Sequence, residues 1–433
     1  MTENAAVSVA VRTLGCKVNR AESEAIAAEL LGAGLALAAE EDEAAVIVIN
    51  TCTVTGEADA KARKAVRQAL AAKLSPVVVV TGCLAALDRD TLSALGERVV
   101  VEADKARVAA IVEGLLGVDA AHRGPIRVAD ARSVAGSAFR TRVAIKIEDG
   151  CDNFCAYCIV PHARGVPRAT PIADIVAQVE ALLVGGTREI VLTGVNVGRY
   201  ADTATGADLA DVLSAVAGTG VPRIRLSSVE PPDLTSRLLA TMATAPAFCA
   251  HLHVPLQSGC DAVLSAMGRT YSSDQFAARI DAARAALPGL VVTTDVLAGF
   301  PGETAEQAAE TLAFCERTGF GKLHVFRYSQ RPGTPAAERL DQVPATEKAS
   351  RATALRELSE RAVAKHAAAR IGTVAEVLVE AVASARDGTP VAEGTTRDYL
   401  RVVLPAQPGD VGRLVDVKLV AARADRVLGE RLD

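Results

Sequence analysis

Three cysteines lie close together in the stretch GCDNFCAYC, at Cys151, Cys155 and Cys158. Three thiolates with this spacing can bind three irons of a [4Fe–4S] cluster and leave the fourth iron open to another ligand. A zinc site would need a fourth protein ligand to complete its tetrahedron, and His162 lies near enough in sequence to supply it. The spacing therefore predicts a metal centre, and both an iron–sulfur cluster and a zinc ion fit it at this point.

A second set of cysteines is widely separated, but each member directly follows a predicted strand. Cys16 ends VRTLGC, Cys52 ends VINTC and Cys83 ends VVTGC. If the strands are parallel, their carboxyl ends share one edge of the sheet, where ligands bind in open α/β sheets. We therefore expect these thiols to converge, although cysteine is also a common buried residue. The remaining cysteines show no ligand spacing and are expected to be ordinary buried thiols: Cys249, Cys260 and Cys315.

Other candidate ligand-binding residues follow predicted strands further along the chain. Glu230 in SSVEP is a carboxylate at a strand end, and an ordinary capping or loop role fits it equally well. Gln257 in PLQSGCD offers a polar group at the next strand end. Gly299 in AGFPGET forms a turn before a helix, which suits either close approach of a ligand or a plain helix start.

The elements that must position these residues alternate between apolar strands and amphipathic helices. In residues 1–120, predicted strands at 7–13, 44–51 and 76–82 indicate a parallel α/β sheet domain. A linker is expected at 121–139. In residues 140–345, six strand–helix units predict a partial or full β/α barrel. Its strands are predicted at 142–148, 188–194, 223–228, 251–257, 290–299 and 322–328.

The last part of the chain changes character. Residues 346–370 form one long connecting helix by pattern, with a modest excess of basic side chains. Residues 371–433 alternate apolar and polar positions between glycine and proline turns, which predicts a small antiparallel β-barrel. We therefore expect an α/β protein with an N-terminal sheet domain, a central β/α barrel and a C-terminal β-barrel.

Composition and charge limit the possible functions. The chain has 433 residues, half of them hydrophobic, and a net charge of -5, so the whole molecule is not a general polyanion binder. Residues 371–433 carry eight basic and ten acidic residues, which is a poor electrostatic footprint for RNA. No apolar run is long enough for a transmembrane helix, and the first residues do not resemble a signal peptide. A cytoplasmic protein with no membrane partner is expected.

The motifs resemble a known family. GCDNFCAYC resembles the cluster loop of radical S-adenosylmethionine (SAM) enzymes. TLGCKVNRAESE, INTCTVTGEADAKARKAVR and VVTGC resemble the N-terminal domain of methylthiotransferases, which are radical SAM enzymes with two [4Fe–4S] clusters. The resemblance covers nearly the whole chain and implies a TRAM-like C-terminal barrel. It implies two sets of cluster ligands: Cys151, Cys155 and Cys158 for the SAM-binding radical cluster, and Cys16, Cys52 and Cys83 for the auxiliary cluster.

The resemblance also implies where SAM binds. LTGVNVGRY is similar to a family segment that lines the SAM site, which points to Gly194 and Asn196. Together with the strand-end residues above, the expected cofactor contacts are Gly194, Asn196, Glu230, Gln257 and Gly299.

The implied reaction inserts a methylthio group into an unactivated C–H bond. One SAM methylates a sulfur species at the auxiliary cluster, and a second SAM provides the radical that abstracts the substrate hydrogen. A sulfur donor and a reductant such as flavodoxin or ferredoxin follow as partners. Five motifs most resemble the branch acting on N6-threonylcarbamoyladenosine at position 37 in the tRNA anticodon loop: TLGCKVN, NTCTVT, IVPHARG, RIRLSSVEP and HVFRYSQRPGTPAA. The last of these departs from the branch at some positions within FRYSQRPGTPAA.

Several alternatives stay open at this point. Other branches of the family act on isopentenyladenosine in tRNA or on an aspartate of a ribosomal protein. A function of another class is a two-cluster iron–sulfur protein for electron transfer or redox sensing, which would not require a barrel. A zinc-binding module that contacts RNA is a third possibility.

Overall fold

The computed structural model describes residues 8–118, 141–385, 387–423 and 426–432. The linker expected at 121–139 lies outside the described residues. The elements fall into three groups along the chain: an α/β sheet, a set of parallel β/α units, and a small closed barrel.

The first group is a five-stranded parallel sheet with the order β2-β1-β3-β4-β5. The expected strands are present as β1, β3 and β4, whereas β2 and β5 are too short to show an apolar pattern. β3, with the sequence VIVINT, is buried at every position because helices cover both faces of a parallel sheet. The strands are β1 Ser8–Thr13, β2 Ala36–Leu37, β3 Val46–Thr51, β4 Val77–Gly82 and β5 Val99–Val101.

Helices pack on both faces of this sheet and give it two hydrophobic cores. One core holds Ile47 and Val66, and the other holds Val48 and Ile26. Alternate residues of β3 thus point to opposite faces, as the pleat requires. The helices are α1 Lys17–Gly32, α2 Gly56–Leu70, α3 Cys83–Leu87, α4 Arg89–Ser93 and α5 Val108–Leu116.

The six predicted barrel strands are all present and parallel, but they form two three-stranded sheets. Single bridges between Ile224 and Phe248 and between Ser228 and His253 join the two sheets. The outer strands do not pair within the described residues, so the barrel is partial and open on one side. The barrel strands are β6 Arg142–Lys146, β9 Glu189–Thr193, β10 Arg223–Leu226, β11 His251–His253, β12 Val291–Ala298 and β13 Lys322–Arg327, with a short ribbon of β7 Glu148–Asp149 and β8 Arg168–Ala169.

Helices alternate with these strands and bury one large core against them. Three of the helices begin with capping boxes at Asp208, Ser272 and Thr304, whose side chains bond the free N–H groups of the first turn. The helices are α6 Val160–Arg164, α7 Ile172–Val184, α8 Leu209–Gly218, α9 Ser236–Thr244, α10 Asp261–Ala266, α11 Ser273–Ala286, α12 Ala305–Thr318, α13 Pro335–Glu338 and the long α14 Ala345–Arg370.

The C-terminal strands form a closed five-stranded barrel in the order β14-β15-β16-β18-β17. The expected antiparallel barrel is confirmed, with one parallel contact, between β16 and β18, where the barrel closes. Closure removes the unpaired edges that a small open sheet would expose. The strands are β14 Val374–Ser384, β15 Pro390–Thr396, β16 Arg401–Pro405, β17 Leu414–Arg423 and β18 Arg426–Arg431.

Buried arginines join the C-terminal barrel to the β/α units. Arg225 donates to the carbonyl oxygens of Arg397 and Thr396 at 2.8 and 2.7 Å, and it pairs with Glu189 at 2.7 Å. Arg223 pairs with the same carboxylate at 2.8 Å. These charges are fully buried and mutually paired, so the contact fixes one orientation of the two units.

Among the helices that the structure describes, none is both long and apolar enough to cross a membrane.

Candidate active site

The N-terminal sheet brings three cysteines to its carboxyl edge. Cys16 caps α1, Cys52 follows β3, and Cys83 opens α3 directly after β4. The loop before α1 lies against Cys52, since a Cβ added at Gly15 would come within 2.5 Å of the Cys52 Cβ, and Gly15 itself has a φ of 105°. The three cysteines therefore lie at the one edge of the sheet that the strand directions predict.

A buried amide organises this edge. The Asn19 side chain donates to the carbonyl oxygens of Leu14 and Thr51 at 3.0 and 2.8 Å, and so ties the Cys16 loop to the end of β3. Asn50 donates back to the Asn19 carbonyl at 2.9 Å. Sequence reasoning missed Asn19, although it lies one turn after Cys16 in the motif CKVN.

Two of the thiols at this edge, those of Cys52 and Cys83, are buried, whereas Cys16 is exposed. Burial chiefly raises the pKa of Cys52, and the neighbouring thiols of Cys83 and Cys16 raise it further. Burial also raises the pKa of Cys83, against the opposing charges of Arg164 and Lys105. Because metal ligands are thiolates, binding of a metal centre here would release protons.

The second cysteine set lies in the loop between β7 and α6. The Cys151 N–H donates to the carbonyl oxygen of Gly165 at 3.0 Å, and the Cys158 N–H donates to the carbonyl oxygen of Cys155 at 2.9 Å. Ala156 pairs with Met267 through its N–H and with Ala336 through its carbonyl oxygen. Burial and the other two thiols raise the pKa of Cys158 to about 12.

Arg269 supports this loop from the segment between α10 and α11. Its guanidinium donates to the Cys155 Sγ at 3.3 Å and pairs with Glu230. Burial raises the pKa of Glu230 despite the opposing charge of Arg269. The predicted strand-end carboxylate, Glu230, thus lies next to the cysteine loop. The sequence did not indicate a role for Arg269, beyond the general rule that a buried arginine has a partner.

Polar atoms without partners gather at the carboxyl ends of β6, β9 and β10. Asn196 is only 4% exposed, yet neither its Oδ1 nor its Nδ2 makes a hydrogen bond. Buried polar groups are normally satisfied, so such a group of orphans indicates a polar ligand at this place. Donors and acceptors here fit a ligand with amino, carboxylate and hydroxyl groups. The orphan atoms belong to Glu148, Thr193, Asn196, Ser227 and Asp233.

Gly194 and Asn196 lie beside the start of the cysteine loop. The Asn196 N–H donates to the Glu148 Oε2 at 2.8 Å, and a Cβ added at Gly194 would come within 2.7 Å of the same oxygen. Burial raises the pKa of Glu148 to about 7. The segment LTGVN therefore packs on the strand that leads into the cysteine loop.

The other two predicted cofactor contacts are placed differently. Gln257 is half-buried with a φ of 68°, and its backbone bridges to Val296 of β12. Gly299 has a φ of 75°, but a Cβ there would overlap Lys348 of α14, and the Gly299 N–H donates to Glu303 at 2.8 Å. In this structure, the group that lies closest to Gly299 is the Lys348 side chain.

Arg164 joins the two cysteine sets. It is the last residue of α6, directly after the second cysteine loop, and its Nε lies 3.2 Å from the Cys83 Sγ. The same guanidinium donates to Asn19 at 2.8 Å and to Glu22 at 2.9 Å, so it enters the polar frame of the N-terminal edge. A side chain from the helix that follows one cysteine loop thus contacts a cysteine of the other set.

A second arginine makes the same crossing. Arg331, after β13, donates to Thr53 and Asp59 at 2.7 Å each, next to Cys52. Arg164 and Arg331 are both at most 8% exposed. Sequence reasoning missed both, because arginine is mostly a surface residue and its partners here lie far away in the chain.

The spacing of the candidate ligand side chains distinguishes a zinc site from an iron–sulfur cluster. Within the described ranges, no group of three or more His, Cys, Asp or Glu side chains is placed to hold a single metal ion. A cubane cluster binds each thiolate at a different corner iron, so its ligands stand farther apart than those of one zinc ion. His162, the fourth ligand that a zinc site would need, is exposed and packs edge-on against Phe154.

The remaining thiols are buried, as expected, and Cys260 shares a hydrophobic cluster with Ala156 and Tyr157 of the second cysteine loop. Cys249, Cys260 and Cys315 are each at most 4% exposed and belong to or border the barrel cores.

Two family profiles match the chain. Residues 8–102 match the family described as "Uncharacterized protein family UPF0004", and residues 145–315 match the "Radical SAM superfamily". The first covers the sheet that carries Cys16, Cys52 and Cys83, and the second covers the loop that carries Cys151, Cys155 and Cys158. A radical SAM domain implies SAM and a [4Fe–4S] cluster.

Curated relatives align over almost the whole chain. A Bacillus subtilis protein named "Threonylcarbamoyladenosine tRNA methylthiotransferase MtaB" is 37% identical over 96% of this chain and 94% of its own length. A Thermotoga maritima protein of the same name is 34% identical over 86% of each chain. An Acidothermus cellulolyticus protein named "tRNA-2-methylthio-N(6)-dimethylallyladenosine synthase" is 36% identical over 97% of this chain and 88% of its own.

Solved structures share the fold at low sequence identity. The radical S-adenosylmethionine methyltransferase TsrM from Kitasatospora setae, with cobalamin and a [4Fe-4S] cluster, matches with a TM-score of 0.53 at 14% identity over 77% of each chain. The cobalamin-dependent radical enzyme OxsB matches with a TM-score of 0.51 at 12% identity, and this chain spans 56% of its length. The N-terminal parallel sheet, the radical SAM units and the closed C-terminal barrel, together with relatives over 30% identical along nearly the full length, show that the chain belongs to the radical SAM methylthiotransferase family.

Proposed function

We propose that this protein is a tRNA methylthiotransferase that inserts a methylthio group at C2 of N6-threonylcarbamoyladenosine at position 37, giving 2-methylthio-N6-threonylcarbamoyladenosine. The observation that carries the proposal is the contact of Arg164 with Cys83, because it holds the two cysteine sets at one interface. Two of the relatives with the highest similarity carry a name for this activity.

The proposal assigns each cysteine set to a cluster. Cys151, Cys155 and Cys158 would hold the [4Fe–4S] cluster that binds SAM, and Cys16, Cys52 and Cys83 would hold an auxiliary [4Fe–4S] cluster. When bound, these groups supply a 5′-deoxyadenosyl radical on one side and a site for sulfur on the other. The corresponding domains are residues 1–120, a linker at 121–139, residues 140–345, a connecting helix at 346–370, and residues 371–433.

The protein's own residues would position and shield this chemistry. Arg269 orients Cys155 and Glu230, and Asn196 offers its free amide to the cofactor. We assign SAM to the orphan polar atoms at the carboxyl ends of β6, β9 and β10. The assigned contacts are Gly194, Asn196, Glu230, Gln257 and Gly299, with Gly299 acting through the turn that it forms beside Lys348.

The proposed substrate is in an anticodon loop, where bases are single-stranded. Extrusion of such a base into a protein pocket is less costly than extrusion from a duplex. The reaction also needs a sulfur donor and a reductant such as flavodoxin or ferredoxin, and we place the enzyme in the cytoplasm with its tRNA. The basic residues of α14 contribute little to RNA binding where they are already engaged, as Arg351 is with Glu303 and Glu347.

A second candidate substrate is isopentenyladenosine at the same tRNA position. It is favoured by the Acidothermus cellulolyticus relative, which is nearly as similar as those of the first type. A two-cluster electron-transfer protein would not need the group of orphan polar atoms at the carboxyl ends of β6, β9 and β10.

Nucleoside mass spectrometry of tRNA from cells with and without the gene tests the proposal. Loss of 2-methylthio-N6-threonylcarbamoyladenosine, with accumulation of its unthiolated precursor, is the expected result. An unchanged level of that nucleoside would contradict the substrate assignment. Loss of the methylthio group from isopentenyladenosine instead would establish the second candidate.

A further inference from the structure

A cavity of about 620 Å³ lies between the open barrel, α14 and the C-terminal barrel. Its volume is in the range of ligand pockets. Three histidines from two barrel strands line it, and Lys17 enters it from the N-terminal sheet. Lys17 directly follows Cys16, so the cavity reaches from the edge that carries the auxiliary cysteines into the barrel. These strand histidines are His251, His253 and His324, and His366 of α14 also lines the cavity, paired with Asp398 at 3.1 Å.

Two lysines of the lining carry charge that no carboxylate balances. Among the residues that the structure describes, Lys17 and Lys322 make no ion pair, whereas Arg142 pairs with Glu380 at 2.6 Å. Of the three lining carboxylates, Glu380 and Asp398 are already paired with arginines, and Glu360 is the third. The cavity therefore has an excess of unpaired positive charge.

His251 adds uncommitted hydrogen-bonding capacity, whereas both ring nitrogens of His253 are engaged, with Asp295 bound to Nε2 at 3.1 Å. The Thr293 hydroxyl bonds both His251 Nε2 at 3.1 Å and His253 Nδ1 at 2.9 Å. His251 is only 6% exposed, yet its Nδ1 has no partner. Burial first, and then the charges of Arg225 and Lys17, lower the pKa of His251, so its ring is neutral at physiological pH. A buried ring nitrogen without a partner points to a polar ligand in the cavity.

The floor of the cavity is also electropositive. Tyr399 of the C-terminal barrel, with a φ of 71°, stacks on His251 at 4.4 Å and lies under Arg225 at 4.3 Å. Although burial alone would raise it, the pKa of Tyr399 is lowered by the charges of Lys17, Arg142 and Arg225. The same positive charges would stabilise a negative charge on a ligand in the cavity.

We propose that this cavity receives the substituent on N6 of the substrate adenosine and that Lys17 contacts its carboxylate. The inference rests on the proposed function, since threonylcarbamoyl is the substituent that carries a carboxylate. It also names the element that distinguishes the two candidate substrates. An apolar dimethylallyl group in this cavity would cover the Lys17 ammonium without replacing its hydrogen bonds to water, which is unfavourable.

The test compares two anticodon stem-loop RNAs, one with threonylcarbamoyladenosine and one in which the threonine carboxylate is a carboxamide. Binding to the anaerobic two-cluster protein is measured by fluorescence anisotropy. The wild-type protein is expected to prefer the carboxylate by about tenfold, as for one charge-assisted hydrogen bond. Lys17→Met should remove the preference, and Lys17→Arg should keep part of it.

Two further variants keep the result interpretable. Lys73→Met is the matched control, because Lys73 is an exposed lysine near Asp42, at the opposite end of the sheet from the cysteines. It should retain the full preference. Because Lys17 adjoins a cysteine, His324→Leu changes the lining from β13 instead and should weaken binding of the carboxylate RNA at unchanged iron content.

The outcomes separate this inference from the proposed function. The inference is overturned if the wild-type protein binds both RNAs equally, if Lys17→Met keeps the preference, or if His324→Leu binds the carboxylate RNA as tightly as the wild-type protein. Methylthiolation of threonylcarbamoyl-RNA by the wild-type protein is measured in parallel. If that product is absent, the proposed function fails, whereas normal product with no role for Lys17 refutes only the inference.

Discussion

The two cysteine sets of this protein are built in opposite ways. Cys151, Cys155 and Cys158 lie in one continuous loop, whose backbone bonds to Gly165, Met267 and Ala336 hold it in shape. Cys16, Cys52 and Cys83 come from the ends of three strands and meet only because β1, β3 and β4 are parallel neighbours. The first site is therefore local and the second depends on the whole sheet. A local site can be identified from spacing, whereas a distributed site requires the strand directions.

The sharpest way to break this comparison is to remove each set separately. Replacing Cys151, Cys155 and Cys158 by alanine should remove about half of the iron and abolish SAM cleavage, because the open iron that binds SAM is lost. Replacing Cys16, Cys52 and Cys83 should also remove half of the iron but leave SAM cleavage intact and stop methylthiolation. The measurements are iron content, 5′-deoxyadenosine formation and modified nucleoside. Full SAM cleavage by the first triple variant would contradict the assignment.

Arg164 connects the two sites, and its loss should have the next largest effect. Arg164→Met leaves Glu22 and Asp149 as buried carboxylates without their main partner, and it removes the contact with the Cys83 Sγ. Breaking a buried ion pair typically costs about 3–5 kcal/mol, so a loss of that order in unfolding free energy is expected. Iron should be lost preferentially from the auxiliary site.

Arg237→Met is the control for this variant. Arg237 pairs with Asp208 and Asp211, but its side chain is 54% exposed, so its loss should cost much less stability than the loss of Arg164. Chemical denaturation of both variants measures the difference. Equal stability losses would show that Arg164 is not a special link between the sites.

Two buried carboxyl groups near the sites have pKa values shifted in opposite directions, so their contributions to stability should change oppositely with pH. Although burial would raise it, the pKa of Glu22 is lowered by the hydrogen bond and charge of Arg164, so its stabilisation is lost as pH falls through the acidic range. Burial raises the pKa of Glu148 to about 7. Its native state binds more protons than the unfolded chain between about pH 4.3 and 7, so that contribution to stability falls as pH rises, by up to about 1.4 kcal/mol per pH unit.

Glutamine substitutions test this pair. Relative to the wild-type protein, Glu148→Gln should gain stability as pH rises from about 5 to 8. The stability that Glu22→Gln loses relative to the wild-type protein should be smallest in acid. Thermal unfolding midpoints at several pH values give the two difference curves. Parallel curves for the two variants would contradict the opposite shifts.

The smallest effect is expected away from both sites. Cys315→Ala removes a thiol that is 1% exposed in the barrel core, and it should cost about 1 kcal/mol of unfolding free energy through lost packing. Iron content and SAM cleavage should stay at wild-type levels. Loss of iron in this variant would mean that cysteines outside the two sets contribute ligands.

Much of the fold could be predicted because its pattern is local. The six barrel strands and β1, β3 and β4 were found from apolar runs, with bounds longer by a few residues than those observed. β2 and β5 were missed because two or three residues carry no periodicity. In the C-terminal barrel, two strands carry little apolar signal, because β15 contains proline and glycine and β18 is largely polar. The parallel contact of β16 with β18 has no local signal, because it joins strands that are not consecutive.

The sequence by itself determined the six candidate cysteines, the strand–helix alternation and the resemblance that names the family, because spacing and period are properties of neighbouring residues. Only the tertiary structure decided that Arg164 crosses to Cys83, that Arg269 supports Cys155, and that Lys17 enters the barrel. The physical reason is that a charged residue looks like a surface residue in the sequence. Its burial depends on partners more than a hundred positions away, which only packing brings into contact.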